Sequence, residues 1–219
     1  MLLLRSVVVA PWLVLLPALA ASLDAQTRAE SGTFVIRRAQ DTVAIERFTR
    51  QPTRLEGTLS LQNPKRTSER YSAVIAPDAT IPLIEVTTRE GPDTGARGAR
   101  IVQRARVIFK EDSVAVDEMS GAGLMTRVFE TEAGAVPYLN LSFALLEQAL
   151  RRARVSANRD QVAFFNLGGG QTLAARVAGI DRDSLTLDIG DVRYRIKLDQ
   201  QSRLLGARIP AQNVVVDRR

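Results

Sequence analysis

From Phe34 to the C-terminus, short runs of alternating apolar and polar residues follow one another, separated by turn residues at hairpin spacing. Alternation with period two sends successive side chains to opposite faces, which is the signature of half-buried β-strands. The run Val192 to Leu198 is the clearest. Val192, Tyr194, Ile196 and Leu198 share one face, and Arg193, Arg195 and Lys197 share the other. A strand of this kind belongs in an antiparallel sheet with one wet face. Gly190-Asp191 just before it has the composition of a two-residue hairpin turn. Leu55 to Leu61 alternates in the same way. Further strand-like runs are Phe34 to Arg38, Val43 to Phe48, Tyr71 to Ile75, Leu83 to Thr88, Ile101 to Phe109, Val114 to Asp117 and Leu124 to Glu130. Past residue 160 come Val162 to Leu167, Thr172 to Ile180, Ser184 to Ile189, and Leu204 to Val216 broken at Pro210. Gly91 to Gly98 is too rich in Gly and Pro for a strand or helix to cross it.

One segment departs from this pattern. Leu139, Phe143, Leu146, Leu150 and Ala153 step by helical intervals and predict an amphipathic helix over about 139–154. Asn140 is its expected N-cap, with Pro137 just outside. Glu147 can pair with Arg151 one turn later. Arg151, Arg152 and Arg154 complement the negative end of the helix dipole. Leu146 and Leu150 should face the sheet, with Gln148 on the opposite side. The strands show no βαβ alternation, so a parallel sheet is not expected. The fold class is therefore mainly β with α+β character. It is a curved antiparallel sheet of about 10–11 strands, a half-barrel or open roll, with the single helix packed in its concavity. A closed lipocalin-like barrel is the alternative.

The first 25 residues carry a different message. Arg5 precedes an apolar run through Leu16, and Pro17 leads into Ala18, Leu19, Ala20 and Ala21. This is the layout of a secretory signal peptide, cut before Ala21 or before Gln26. The run from Val7 to Ala21 is shorter than the roughly 20 residues of a spanning helix, and Pro11 and Pro17 interrupt it. The expected organisation is a signal peptide over 1–25 and one β-rich secreted domain over 26–219, with no transmembrane span after cleavage. The chain has no cysteine, so neither a disulfide nor a thiolate site is available to it.

No catalytic signature accompanies this layout. Histidine is absent, which removes the commonest general base and the usual zinc sites. Gly168-Gly169-Gly170 lacks the helix and the Lys-Ser/Thr pair of a phosphate loop. Asp181, Asp183, Asp188 and Asp191 have leucines at intervening positions and fit solvated turns better than a calcium loop. Asp117-Glu118, with Glu46 or Glu85, could form a carboxylate pair only if folding brought them together. The reading is no enzyme, no metal and no cofactor. The net charge is +6, but the arginines are scattered and lysine occurs only at 65, 110 and 197. That distribution does not suggest a nucleic-acid partner.

The inner face of such a sheet has to be filled. The chain has seven Phe, three Tyr and one Trp, and that Trp lies in the signal segment. A sparsely filled concavity can take a lipid or other hydrophobic small molecule. Leu139, Phe143, Leu146 and Leu150 are the candidate ligand-binding residues. The alternative is a structural or protein-interaction domain with a filled core, acting through its surface or sheet edge.

The opening Gly32 to Ile36 with Val43 to Phe48, and the closing Leu198 to Leu205, are similar to segments of uncharacterised secreted bacterial domains. The architecture as a whole resembles the periplasmic half-barrel proteins of the lipoprotein-carrier (LolA-like) group. The resemblance implies a periplasmic or extracellular protein whose partner is a lipid, another hydrophobic small molecule or another envelope protein. It assigns no role to individual residues.

Overall fold

The computed structural model describes residues 29–62, 64–91, 98–179 and 183–219. The signal peptide read over residues 1–25 lies outside the described residues, as do Pro92 to Arg97 of the long loop and Ile180 to Arg182. Eight strands come first: β1 (Glu30–Arg38), β2 (Asp41–Gln51), β3 (Arg54–Leu61), β4 (Thr67–Val74), β5 (Leu83–Glu90), β6 (Arg100–Phe109), β7 (Ser113–Ser120) and β8 (Gly123–Glu130). Then come β9 (Val136–Tyr138), helix α1 (Phe143–Val155), β10 (Gln161–Asn166), β11 (Thr172–Gly179), β12 (Ser184–Ile189), β13 (Val192–Leu198), β14 (Leu204–Ile209) and β15 (Val214–Arg218).

All of them form one open sheet in the order β8-β7-β6-β5-β4-β3-β2-β1-β15-β14-β13-β12-β11-β10-β9. Most neighbours are consecutive strands joined by short connections and pair antiparallel, and the distant β1 and β15 also pair antiparallel. There is one exception to the antiparallel pairing. Strand β9 runs parallel to β10, because α1 intervenes and carries the chain back across the concave side. Strands β1 and β15 pair at the middle of the sheet, and β8 and β9 form its two edges.

Among the described residues the sheet has fifteen strands rather than ten or eleven, because all thirteen of the strand-like runs pair in it and two more strands join them. The run from Leu204 to Val216 is two strands, separated by a single 3-10 turn at Pro210–Gln212. Strand β9 has three residues, one of them Pro137, and is too short to leave a period in the sequence.

The concave face carries the core. Ile36, Ala44, Leu55, Leu59, Ile84, Val107 and Val114 are buried along the first half of the sheet, and Leu187, Ile196, Leu204 and Val216 along the second. Phe34 stacks on Phe48 with ring centroids 5.4 Å apart, and Phe143 of the helix meets Phe34 at 6.0 Å. Glycine lets large rings lie flat on the sheet. Gly57 is paired across strands with Tyr71, and a Cβ there would sit 2.3 Å from the phenol ring. Gly32 stands opposite Phe48 in the same relation.

The helix is wrapped by the sheet. It begins at Phe143 and not near Leu139, and its N-cap is Ser142, not Asn140. Leu141 has φ of +64°, a left-handed turn that no helix continues through. Residues 143–150 are all buried, so this helix has no wet face over its first two turns. Gln148 is accordingly not on an outward face. It is buried, and its Nε2 donates to the carbonyl of Ala79 at 3.0 Å. Only the last turn reaches solvent, where Val155 is exposed.

Candidate functional site

The four residues proposed to line a ligand cavity are distributed along the helix and its approach. Phe143, Leu146 and Leu150 are core residues, and Leu139 is half-buried in the segment before the helix. Beside Leu139, Phe143 and Leu146, against Tyr194 and Ile209, lies a cavity of about 10 Å³. That is scarcely room for one water. A larger cleft of about 410 Å³ opens at the rim, between the end of α1 and strands β10 to β12, with Arg152, Asn158, Arg176 and Asp188 on its walls.

Beneath the helix lies a buried polar network. Strand β2 alternates Ala44, Glu46, Phe48 and Arg50 toward the concave side, so two charged residues occupy core positions. Glu46 is fully buried and receives four hydrogen bonds. Tyr71 Oη and Ser142 Oγ donate to its Oε1, each at 2.6 Å. The amides of Phe143 and Ala144 donate to its Oε2 at 2.7 and 3.0 Å. The carboxylate therefore sits on the first-turn amides that a helix leaves unpaired, at the positive end of its dipole. Burial pushes the Glu46 carboxyl up, against the pull of those hydrogen bonds. Burial likewise holds the Tyr71 phenol protonated, reinforced by the neighbouring carboxylate.

The second cluster clasps the middle of the helix. Glu147 is fully buried, and Arg50 donates to its Oε1 together with Arg151 at 2.9 Å. Its Oε2 accepts from the amide of Leu204 and from Arg218, both at 2.9 Å. Arg218 also reaches Glu30 at 2.6 Å and lies over the rings of Phe34 and Phe48, 5.6 and 5.2 Å from their centroids. Burial works against ionisation of Glu30, but the hydrogen bond from Arg218 and the charges of Arg50 and Arg151 outweigh it and hold its carboxyl below the usual range. Strands β1, β2, β14 and β15 thus meet α1 through one ionic cluster at the centre of the sheet.

Of the carboxylates weighed as a catalytic pair, Asp117 and Glu85 share the convex face and line one cleft with Arg106 between them, whereas Glu46 and Glu118 lie apart in β2 and β7. Glu46 is consumed by the helix N-terminus, and Glu85 points to the convex face. Glu118 engages Arg127 on β8, and Asp117 accepts from Thr126. Gly168 to Gly170 form the turn between β10 and β11. Asp188 is held by Arg193 at 2.7 Å. Among the described residues no group of three carboxylates is placed to hold a metal ion, and no helix is long and apolar enough to cross a membrane.

The two sheet edges differ. At one end β8 reaches the strands beside the other edge: Phe129 packs on Phe165 of β10 at 5.6 Å, and Thr172 of β11 donates to Thr131 at 2.9 Å. No ladder joins them, so the barrel stays open. The rest of β8 is exposed, including Leu124, Met125 and Val128.

A solved structure shares this architecture. The chain is similar to a DUF1089 family protein from Pseudomonas aeruginosa, with a TM-score of 0.53 and 10% identity over 79% of this chain and 92% of that one. The likeness is one of fold. A beta-barrel-like protein of domain of unknown function DUF1849 from Brucella abortus matches with a TM-score of 0.44 and 11% identity, over 87% of this chain and 93% of that one. No protein-family model matches the sequence, and no curated protein matches it significantly. The fold is thus a β-rich one that it shares with an uncharacterised family.

Glu46, Glu147, Arg50, Arg218 and Tyr71 were not legible as a cluster. Their signal was a charge standing in the apolar phase of a strand, at Glu46 and Arg50 in β2 and at Arg218 after Val214 and Val216.

Proposed function

We propose that this chain is an exported envelope protein, periplasmic or extracellular, that acts as an interaction domain through the free edge of its sheet and has no catalytic role. This is the alternative to the ligand-binding half-barrel. The observation that carries it is the contrast between the two apolar surfaces. Around Leu139, Phe143 and Leu146 the concave one is filled by α1, leaving a space of about 10 Å³, while β8 leaves Leu124, Met125 and Val128 exposed beside unpaired backbone. The likeness to lipoprotein carriers then extends to the curved sheet and its location, and not to a carried lipid.

The reading is tested with a photoreactive side chain at Val128 in the native envelope, which is expected to crosslink, and with a fluorescent fatty acid offered to the purified protein. No saturable binding and no ligand-dependent rise in melting temperature are expected. Saturable binding that Ala149→Phe abolishes without unfolding the protein would overturn the reading and restore Leu139, Phe143, Leu146 and Leu150 as a ligand surface. Export has its own check. N-terminal sequencing of the exported protein should begin at Ala21 or Gln26, and recovery of intact Met1 in a membrane fraction would mean a retained anchor.

A further inference from the structure

Strand β8 has a definite bonding direction. The amide of Thr131 donates to Asp112 at 2.9 Å, so the odd-numbered residues of this strand bond to β7 and the even-numbered ones face away from the sheet. The Glu130 carbonyl already receives Thr172 Oγ1 at 3.5 Å. The free outward donors and acceptors are therefore those of Leu124, Thr126 and Val128. Natural edge strands are guarded by charged side chains, above all lysine, by proline or by a bulge. Strand β8 has neither lysine nor proline, its pairing with β7 is regular throughout, and of its two charges Arg127 is neutralised by Glu118 and Glu130 stands at its last residue. Leu124 is 67% exposed, Met125 55% and Val128 68%.

We propose that this edge pairs with the same edge of a second copy of the chain, antiparallel about a two-fold axis centred on Thr126. The inference rests on the edge-interaction reading above and names its partner. A two-fold axis perpendicular to a sheet keeps each face on its own side, so only a few registers are available. Centred on Thr126, Leu124 stands opposite Val128 of the second copy, and all three free residues find partners. On the convex face the apolar row then runs from Met119 through Leu124 to Val128, Ala115 and Ile108 of the second copy. On the concave face Arg127 stands opposite Met125 of the second copy, whose own neighbour is Glu118. Each Arg127, held by its own Glu118 at 2.9 Å, so gains a second carboxylate in its row. Gly123 meets Phe129 of the second copy, repeating the glycine–aromatic pairing of Gly57 with Tyr71. Shifting the centre to Arg127 sets the two guanidinium groups directly opposite each other and calls on the occupied Glu130 carbonyl. Charge and hydrogen bonding therefore select the same register.

The absence of cysteine makes the test clean, since any thiol introduced is the only one. Paired residues at such a position stand about 5.5 Å apart, within the range of about 4.4–6.8 Å that a disulfide spans. Thr126→Cys in the mature protein should give a covalent dimer under mild oxidation, and Arg70→Cys on β4 should not. Sedimentation should show a concentration-dependent dimer that Thr126→Pro converts to monomer, with a melting temperature close to that of the parent diluted to its monomeric range, because that amide bonds nothing within the chain and the variant loses only the exposed hydroxyl bond to Asp117. A monomer at every concentration, or a dimer indifferent to Thr126→Pro, would overturn the proposal. If the protein is monomeric and the Val128 crosslinker captures a different envelope protein, the second copy is wrong and the edge reading stands. If Val128 captures nothing and the protein is monomeric, both fall.

Discussion

Glu147→Ala is expected to cost about 3–5 kcal/mol, because it removes the fully buried carboxylate between Arg50 and Arg218 and leaves both to share Glu30. Arg50 is almost completely buried and Arg218 nearly so, and Glu147 is the acceptor for both. The backbone amide of Leu204 loses its partner in the same substitution. Arg151 makes a useful contrast. It binds the same carboxylate, but its side chain is 33% exposed, so water can replace the contact. Arg151→Ala should therefore cost no more than about 1 kcal/mol. Urea unfolding of the two variants measures the difference. Equal losses would mean that the buried cluster does not hold the helix to the sheet.

The second large effect lies on the helix. Leu150→Asp and Gln148→Asp should each destabilise by on the order of 3–5 kcal/mol, since both place an unpaired charge in the core. For Gln148 the substitution also removes the donor to the Ala79 carbonyl. Val155→Lys at the exposed end of the helix should stay within about 0.5 kcal/mol of the parent. Thermal and urea unfolding of the three variants decide the matter. If Gln148→Asp is as mild as Val155→Lys, the helix has a solvent face and is not enclosed by the sheet.

Gln148 also illustrates where periodicity stops. The stripe of Phe143, Leu146, Leu150 and Ala153 was visible, and those residues are buried as expected. Periodicity ranks the faces of a helix by polarity, but it does not say how far the neighbouring structure reaches around it. Here the curved sheet and the loop carrying Ala79 cover the polar side as well, and Gln148 meets a backbone carbonyl there. The helix starts later than its spacing predicts for a related reason. Leu139 continues the stripe by spacing, and Asn140 is a good cap by type. The competing signal is Glu46, which lies in another strand and takes the amides of Phe143 and Ala144. A carboxylate nearly a hundred residues away cannot be seen in a local window.

Local alternation was sufficient to specify the antiparallel strands, the hairpin turns and a single helix, because side-chain period and turn chemistry act over a few residues. The absence of histidine and cysteine likewise removed whole classes of chemistry without any coordinates. The tertiary structure alone decided that β1 and β15 meet in the middle of one sheet, that β8 is left as a free edge, and that the concavity is filled by the helix. It also turned Glu46, Arg50, Glu147 and Arg218 from odd charges in apolar phases into one clasp. These outcomes depend on pairing and packing between distant segments, where the gain from burying a charge or an edge is set by what arrives opposite it.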